Sequence, residues 1–360
     1  MSQPPTGIVG EALAELSAYR TKPDPAPVKL DANESPWPLP AEARERLGRA
    51  LADVPLHRYP DLMARGVRRA LARRLAAAPD ELVLGVGSDE VIGVLLSALG
   101  RPRPRAAKPT VLYPTPTFVM YPITARVHGF DPVEVPLADD WSLDVEAILA
   151  ALEARRPNLV FLATPNNPTG NAFSDDALAA VVAAAGDALV VIDEAYAPFA
   201  GRSLSHWVDH HPNVAVLGTL SKIGLAGLRL GWVRLHRALA SEVEKARPPY
   251  NLNLYAQRAA EVLLEDFPEA LDAQVARIVE ERERLGAALD ALDGVTVSSS
   301  AANFFLIEVP DAAATHAGLL ERGVQVRRFA GVPRLARHLR VTVGTPEEDD
   351  RLLAALAEIL

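Results

Sequence analysis

The run GTLSKIGLAGLRLGW at residues 218–232 sets one amine, Lys222, among Gly, Ala, Leu and Ile, and no Asp or Glu occurs between His210 and Ser241. Lysine is rarely buried without a partner, so a lone lysine in such a Gly-rich turn ordinarily reaches water. The alternative chemistry is that of a Schiff-base lysine. Apolar neighbours penalise an ammonium and favour the neutral amine, the only form that attacks an aldehyde. Arg229, seven residues on (229 − 222), pushes in the same direction and can bind a phosphate, and Thr219 and Ser221 add hydroxyl donors. The segment reads as an amine beside an anion seat.

Four further stretches carry candidate chemistry, each with a plainer reading beside it. GVGSDEV (85–91) is at the least a tight strand–helix turn. Its free backbone N–H groups and the positive end of the helix dipole would also seat a phosphate. As a dinucleotide fingerprint it matches poorly. Glu90 stands at the third Gly position, and the acid expected about 20 residues on is missing from RPRPRAAKPTVLY, so a single phosphate fits better than NAD. ATPNNPTGNAF (163–173) reads as an Asn-Pro turn that projects the Asn167 amide from a strand end. LVVIDEAYAPF (189–199) puts two carboxylates after an apolar run, with Tyr196 three residues beyond Asp193. A carboxylate in apolar surroundings needs a cationic partner, which a protonated pyridine nitrogen would supply. In HLRVTVG (338–344), Arg340 either snorkels to the sheet edge or clamps a substrate carboxylate with its two-pronged guanidinium.

The elements that must position these residues follow from the apolar patterning. The chain has 360 residues, 49% of them hydrophobic, enough for a large core and for two domains. ELVLGVG, TVLYP, PVEVPL, NLVFLATP, ALVVIDEAY and NVAVLGTL read as short strands separated by helical segments. That alternation predicts an α/β fold with a mostly parallel sheet covered on both faces, and places the chemistry on loops at the carboxyl ends of the strands. From about residue 250 a long helical stretch precedes GVTVSSS, NFFLIEV, GVQVRRF and HLRVTVG, which reads as a smaller α+β domain. The expected division is an N-terminal arm at 1–35, a large domain at 36–250 and a small domain at 251–360.

A formal net charge of −9 with a pI near 5.5 gives no basic surface for nucleic acid. The absence of cysteine removes disulfides, thiolate metal sites and a cysteine nucleophile, and no metal-ligand set is read. MSQPPTGIVGEAL lacks the basic head and apolar run of a signal peptide, and no apolar stretch nears the roughly 18 residues of a membrane helix. The expectation is a cytoplasmic protein with no membrane contact.

Taken together the chain resembles the fold-type-I pyridoxal-phosphate aminotransferases, and within them the histidinol-phosphate aminotransferases. The resemblance is carried in order by LDANESPWPLP (30–40), RYPD (58–61), GVGSDEVI (85–92), PTPTFVMY (114–121), TPNNPTG (164–170), VIDEAYAPF (191–199), TLSKIGLAGLRLGW (219–232) and LRVTVGTPEE (339–348). It implies a seven-stranded large domain and pyridoxal 5′-phosphate as cofactor. Lys222 would be the Schiff-base lysine, Asp193 the partner of the pyridinium nitrogen, and Tyr196 and Asn167 donors to the ring's O3′, with Phe118 stacked on the ring. Gly87, Ser88, Asp89, Thr219, Ser221 and Arg229 would hold the phosphate, with Tyr59 reaching across from a second subunit of a homodimer. Arg340 would bind a substrate α-carboxylate, and Arg340, Arg327 and Tyr19 the phosphate of histidinol phosphate. Two features depart from the family pattern. Many relatives carry one more residue between the lysine and the phosphate-binding arginine, and position 118 is Phe where Tyr is common.

The reaction so implied is transamination between histidinol phosphate and 2-oxoglutarate, giving imidazole acetol phosphate and glutamate. The alternatives are an aromatic amino-acid aminotransferase, a phospho-amino-acid decarboxylase of the same fold, and a non-catalytic cofactor-binding regulator.

Overall fold

A computed structural model describes Gly10 and residues 26–104 and 106–360. Its larger sheet has seven strands: β2 (Leu82–Val86), β3 (Thr110–Thr115), β4 (Asp131–Pro136), β5 (Leu159–Ala163), β6 (Leu189–Asp193), β7 (Val214–Thr219) and β8 (Leu230–Leu235), in the order β2-β8-β7-β6-β5-β3-β4. Strands β3 to β7 pair in parallel, and β8 runs antiparallel to both β2 and β7. Strand β6 shows why these segments are apolar throughout. Its side chains alternate between faces, so Val191 packs with Ile92, Leu95 and Phe161 on one side, while Val190 and Ile192 pack with Leu112, Leu178 and Val181 on the other. A strand covered on both faces has no side for polar residues.

The second sheet joins remote parts of the chain in the order β1-β11-β12-β10-β9: β1 (Val28–Leu30), β9 (Thr296–Val297), β10 (Phe304–Glu308), β11 (Val324–Arg328) and β12 (His338–Thr342). Its core joins Val341 and Phe304 to Ile278 and Leu285 of helix Pro268–Asp290 and to Leu352 and Leu356 of helix Pro346–Ile359. Tyr196 and Phe199, which follow β6, lie in the same cluster. The small sheet therefore packs against the end of the large one.

Three elements differ from the sequence reading. Strand β8 was not expected, because Arg234 interrupts its apolar run. That guanidinium is buried yet fully engaged, donating to Glu81, to Asp209 and to the Ser205 carbonyl oxygen. Residues 28–30, read as part of an extended arm, form β1 and pair in parallel with β11. The long helical stretch is two helices, Leu254–Asp266 and Pro268–Asp290. Proline lacks an N–H and disfavours helical geometry in the residue before it, and Phe267 accordingly leaves the helix at φ −137°, ψ 37°.

Candidate active site

Three adjacent parallel strands deliver the central side chains. In register, Ala163 of β5 faces Asp193 of β6, and Asp193 faces Leu217 of β7. Asn167, Asp193 and Lys222 thus leave the same sheet edge, the carboxyl end where crossover loops leave room for a ligand.

Lys222 sits in a tight turn, Ser221–Leu225, that directly follows β7. Gly224 takes φ +92°, and a Cβ there would lie 2.1 Å from Gln274 Oε1, so the turn closes only around glycine. The Lys222 amine lies 5.6 Å from the centre of the Tyr196 ring and donates to the Ala32 carbonyl oxygen at 3.5 Å. No acid is near it in sequence, but the fold brings Asp193 close enough for the two charges to interact.

Asp193 is 5% exposed. Burial raises its pKa; hydrogen bonds from the Tyr121 hydroxyl (2.6 Å, to Oδ2) and the Ala195 N–H (3.0 Å, to Oδ1) oppose that rise, and the Lys222 charge opposes it more weakly. Tyr121 is wholly buried. Its phenol is pushed far above its ordinary value, first by burial and then by the Asp193 charge, so it serves as a fixed neutral donor. Its ring stacks on Phe161 at 4.6 Å and meets the edge of Phe118 at 5.5 Å. Tyr121 closes the PTPTFVMY motif, yet sequence reasoning assigned it nothing. Its placement three residues after Phe118, on the first turn of helix Met120–Val127, was the available signal.

The anion seat forms where β8 brings two loops together. Val86 of β2 pairs with Leu230, and Thr219 of β7 pairs with Gly231. The end of β7 and the start of helix Gly87–Leu99 are thus separated by one strand. That helix has no side-chain cap at its start, which leaves backbone N–H groups of its first turn available to an anion. Ser221 Oγ lies 3.0 Å from Thr219 Oγ1, and Arg229 reaches Ser221 Oγ at 3.4 Å and Asp89 at 3.3 Å. Gly87 takes φ +75°, and a Cβ on it would stand 2.7 Å from Arg229 Nη2. Arg229 itself is left-handed, at φ +50°. These donors and this close backbone approach fit the phosphate of pyridoxal phosphate. The Lys222 amine fits its aldehyde and buried Asp193 its ring nitrogen.

Arg340 does not snorkel. It is 8% exposed, donates to Asn167 Oδ1 and to the Asp31 carbonyl oxygen at 2.6 Å each, and lies 5.4 Å over the Phe304 ring. Arg327 of β11 is its cross-strand neighbour. Tyr59 is not brought to this site. It is 80% exposed and stacks on Tyr250 at 4.7 Å. Tyr19 lies outside the described residues.

The comparisons with known proteins agree with this geometry. Residues 25–356 match the family model of the class I and II aminotransferases. The chain is 45% identical to a histidinol-phosphate aminotransferase of Burkholderia mallei over 98% of each chain. It is equally identical to one of Methylibium petroleiphilum over 98% of this chain and 95% of the relative. The histidinol-phosphate aminotransferase of Sinorhizobium meliloti, solved in complex with pyridoxal-5′-phosphate, superposes with a TM-score of 0.84 at 26% identity, covering 98% of this chain and 97% of its own. A family match through both sheets and the loops that carry Asn167, Asp193 and Lys222 means that the chain belongs to the class I and II aminotransferases, among the histidinol-phosphate aminotransferases.

Proposed function

We propose that this chain is a pyridoxal-phosphate-dependent transaminase that exchanges amino groups between L-histidinol phosphate and 2-oxoglutarate, in histidine biosynthesis. The observation that carries the reading is the gathering of Lys222, Asp193 and the Thr219–Ser221–Arg229 seat on one sheet edge, in a chain 45% identical to histidinol-phosphate aminotransferases.

Bound pyridoxal phosphate supplies an aldehyde carbon and a ring that takes up the electrons of a broken C–H bond. Asp193 would hold the positive charge at the ring nitrogen. Tyr196 and Asn167 would donate to the ring oxygen, and Phe118 would cover the ring face. Gly87, Ser88, Asp89, Thr219, Ser221 and Arg229 hold the phosphate, where Arg229 supplies charge and the helix N–H groups supply direction. Lys222 would anchor the group through Nζ, and once the substrate's amino group has displaced it, its freed amine would be the base that takes the substrate's α-proton and returns it in the reverse half-reaction. Asn167 accepts from Arg340 through its oxygen, which leaves its NH₂ group as the donor the ring oxygen would need. Arg340 and Arg327 bind the substrate's anion, the carboxylate of glutamate or the phosphate of histidinol phosphate.

A homodimer completes the site in this reading. Exposed Leu56, Tyr59, Tyr250 and Tyr255 line one surface groove, an apolar face that a second copy would cover, with Tyr59 reaching the partner's phosphate seat. No helix among the described residues is long and apolar enough to cross a membrane, and the proposed location is the cytoplasm. The discriminating assay compares histidinol phosphate with phenylalanine as amino donors. A strong preference for phenylalanine removes the histidine-pathway reading and leaves an aromatic aminotransferase, and carbon dioxide release from a phospho-amino acid marks a decarboxylase.

A further inference from the structure

The segment Asp31–Ala32–Asn33 follows β1 and touches three candidate site residues in turn. The Asp31 carbonyl oxygen accepts from Arg340, the Ala32 carbonyl oxygen from Lys222, and the Asn33 side chain donates to the Tyr196 hydroxyl. Asn33 is 1% exposed and held in the left-handed region at φ +54°, a conformation Asn tolerates better than most residues.

Every hydrogen bond around Asn33 has a direction. Its backbone N–H donates to Thr342 Oγ1 at 3.0 Å, and the Thr342 hydroxyl donates to Asn33 Oδ1 at 3.0 Å. The Asn303 amide donates to the Asn33 carbonyl oxygen at 3.2 Å. The oxygen of the Asn33 amide is therefore committed to Thr342 on β12, and its NH₂ group faces Tyr196, donating to the phenol oxygen at 2.9 Å. An NH₂ group only donates, so the Tyr196 oxygen accepts here and its own proton points elsewhere. The edge contact of the Tyr196 ring with Phe304 at 5.1 Å limits how the phenol can turn.

We infer that Asn33 is a positioning residue that fixes the Tyr196 hydroxyl as a donor toward the cofactor. This rests on the proposed role of Tyr196 as a donor to the ring oxygen. Accepting one hydrogen bond strengthens a hydroxyl as donor in another, so Asn33 both aims and polarises it. The relay also links Tyr196 to Thr342, two residues from Arg340 on the strand proposed to bind substrate.

The test reads the pH at which the visible absorption of the bound cofactor changes. A donor on the ring oxygen makes the bound chromophore a weaker base, so Tyr196→Phe is expected to move the midpoint up by about 1 unit, the size of one hydrogen bond to a charged group. Asn33→Gly keeps the left-handed backbone and removes the amide, and is expected to move the midpoint the same way by a smaller amount. Asn33→Asp, which as a carboxylate accepts from Tyr196 and reverses the bond, is expected to match Tyr196→Phe. Asn33→Gly should add no shift in the Tyr196→Phe background, whereas the Asn33→Asp charge raises the midpoint there on its own. An unmoved midpoint in both Asn33 variants, with Tyr196→Phe shifted, overturns the role of Asn33. A full additional shift of Asn33→Gly in the Tyr196→Phe background also overturns it, because Asn33 would then act without the hydroxyl. An unmoved Tyr196→Phe overturns the reading of Tyr196 and this inference with it.

Discussion

Asp193, at the end of β6, and Asp349, in the first turn of helix Pro346–Ile359, are both cut off from water, and burial pushes the pKa of each carboxyl upward. Their neighbours differ. Asp193 receives a donor on each oxygen, Tyr121 and the Ala195 N–H, and has the Lys222 charge nearby. Asp349 receives one, the Gly344 N–H at 2.9 Å, and its Oδ2 meets no donor among the described residues. Its acidic neighbour is Glu281, which Arg284 binds through both oxygens. A neighbouring acid disfavours ionisation, and Asp349 is pushed up to about 8, by burial first and by Glu281 as well. At the first site two donors and a nearby amine oppose the rise that burial causes, which favours the carboxylate that the proposed pairing with a cationic ring nitrogen needs. At the second, one donor and an acidic neighbour leave that rise unopposed, which favours the neutral carboxyl. Equal burial therefore does not imply equal function; the donors do the sorting.

The comparison breaks hardest at the amine. Lys222→Ala removes both anchor and base, and turnover should fall by more than about 10⁴-fold, since general-base help alone reaches that range. The yellow absorption that borohydride reduces should vanish with it. A mutant that keeps both colour and turnover refutes the lysine's role.

The two carboxylates then part under the same substitution. Asp193→Asn should lower kcat/KM by about 10²–10³-fold, the scale of a lost electrostatic contact to the reacting group, while the apoprotein melts higher because a buried charge is gone. Asp349→Asn should leave activity unchanged. Parallel steady-state assays and melting curves of both variants decide whether the contrast is real, and equal activity losses would erase it.

Tyr121→Phe sharpens the Asp193 side. Without its hydroxyl the carboxylate loses a charge-assisted hydrogen bond, so its pKa rises further. The acid limb of the pH–rate profile should move up by about 1 unit, with little loss at the alkaline plateau.

The smallest effect tests the Asp349 side. A carboxyl with a raised pKa binds its proton more tightly folded than unfolded, so its contribution to stability falls as pH climbs from near 4 to about 8 and is flat above. Asp349→Asn removes that loss. Its Tm relative to the parent chain should rise across that window and exceed it by about 3 °C or more at pH 9. A constant difference from pH 5 to pH 9 would show that Asp349 ionises freely.

Much of the large sheet and the residue types of the candidate site were legible locally. Parallel strands buried on both faces must be apolar runs, and Lys222, Asp193 and Asn167 each stand where such a run meets a turn. Strand β8 was hidden by Arg234, whose partners lie 25 or more residues away. Strand β1 was hidden because three residues have no period to read and its partner β11 begins at Val324. Tyr121 and Asn33 escaped for the same reason: their bonds to Asp193 and Tyr196 span 72 and 163 residues.

By itself the sequence determined which functional groups are present and at which strand ends they stand, because apolar periodicity and turn chemistry act over a few residues. The tertiary structure alone decided the upward push on the carboxyls of Asp193 and Asp349, the bond the Tyr196 oxygen accepts from Asn33 and the burial of Arg340. Those properties depend on which groups from distant segments replace water around a side chain, and no local pattern encodes that exchange.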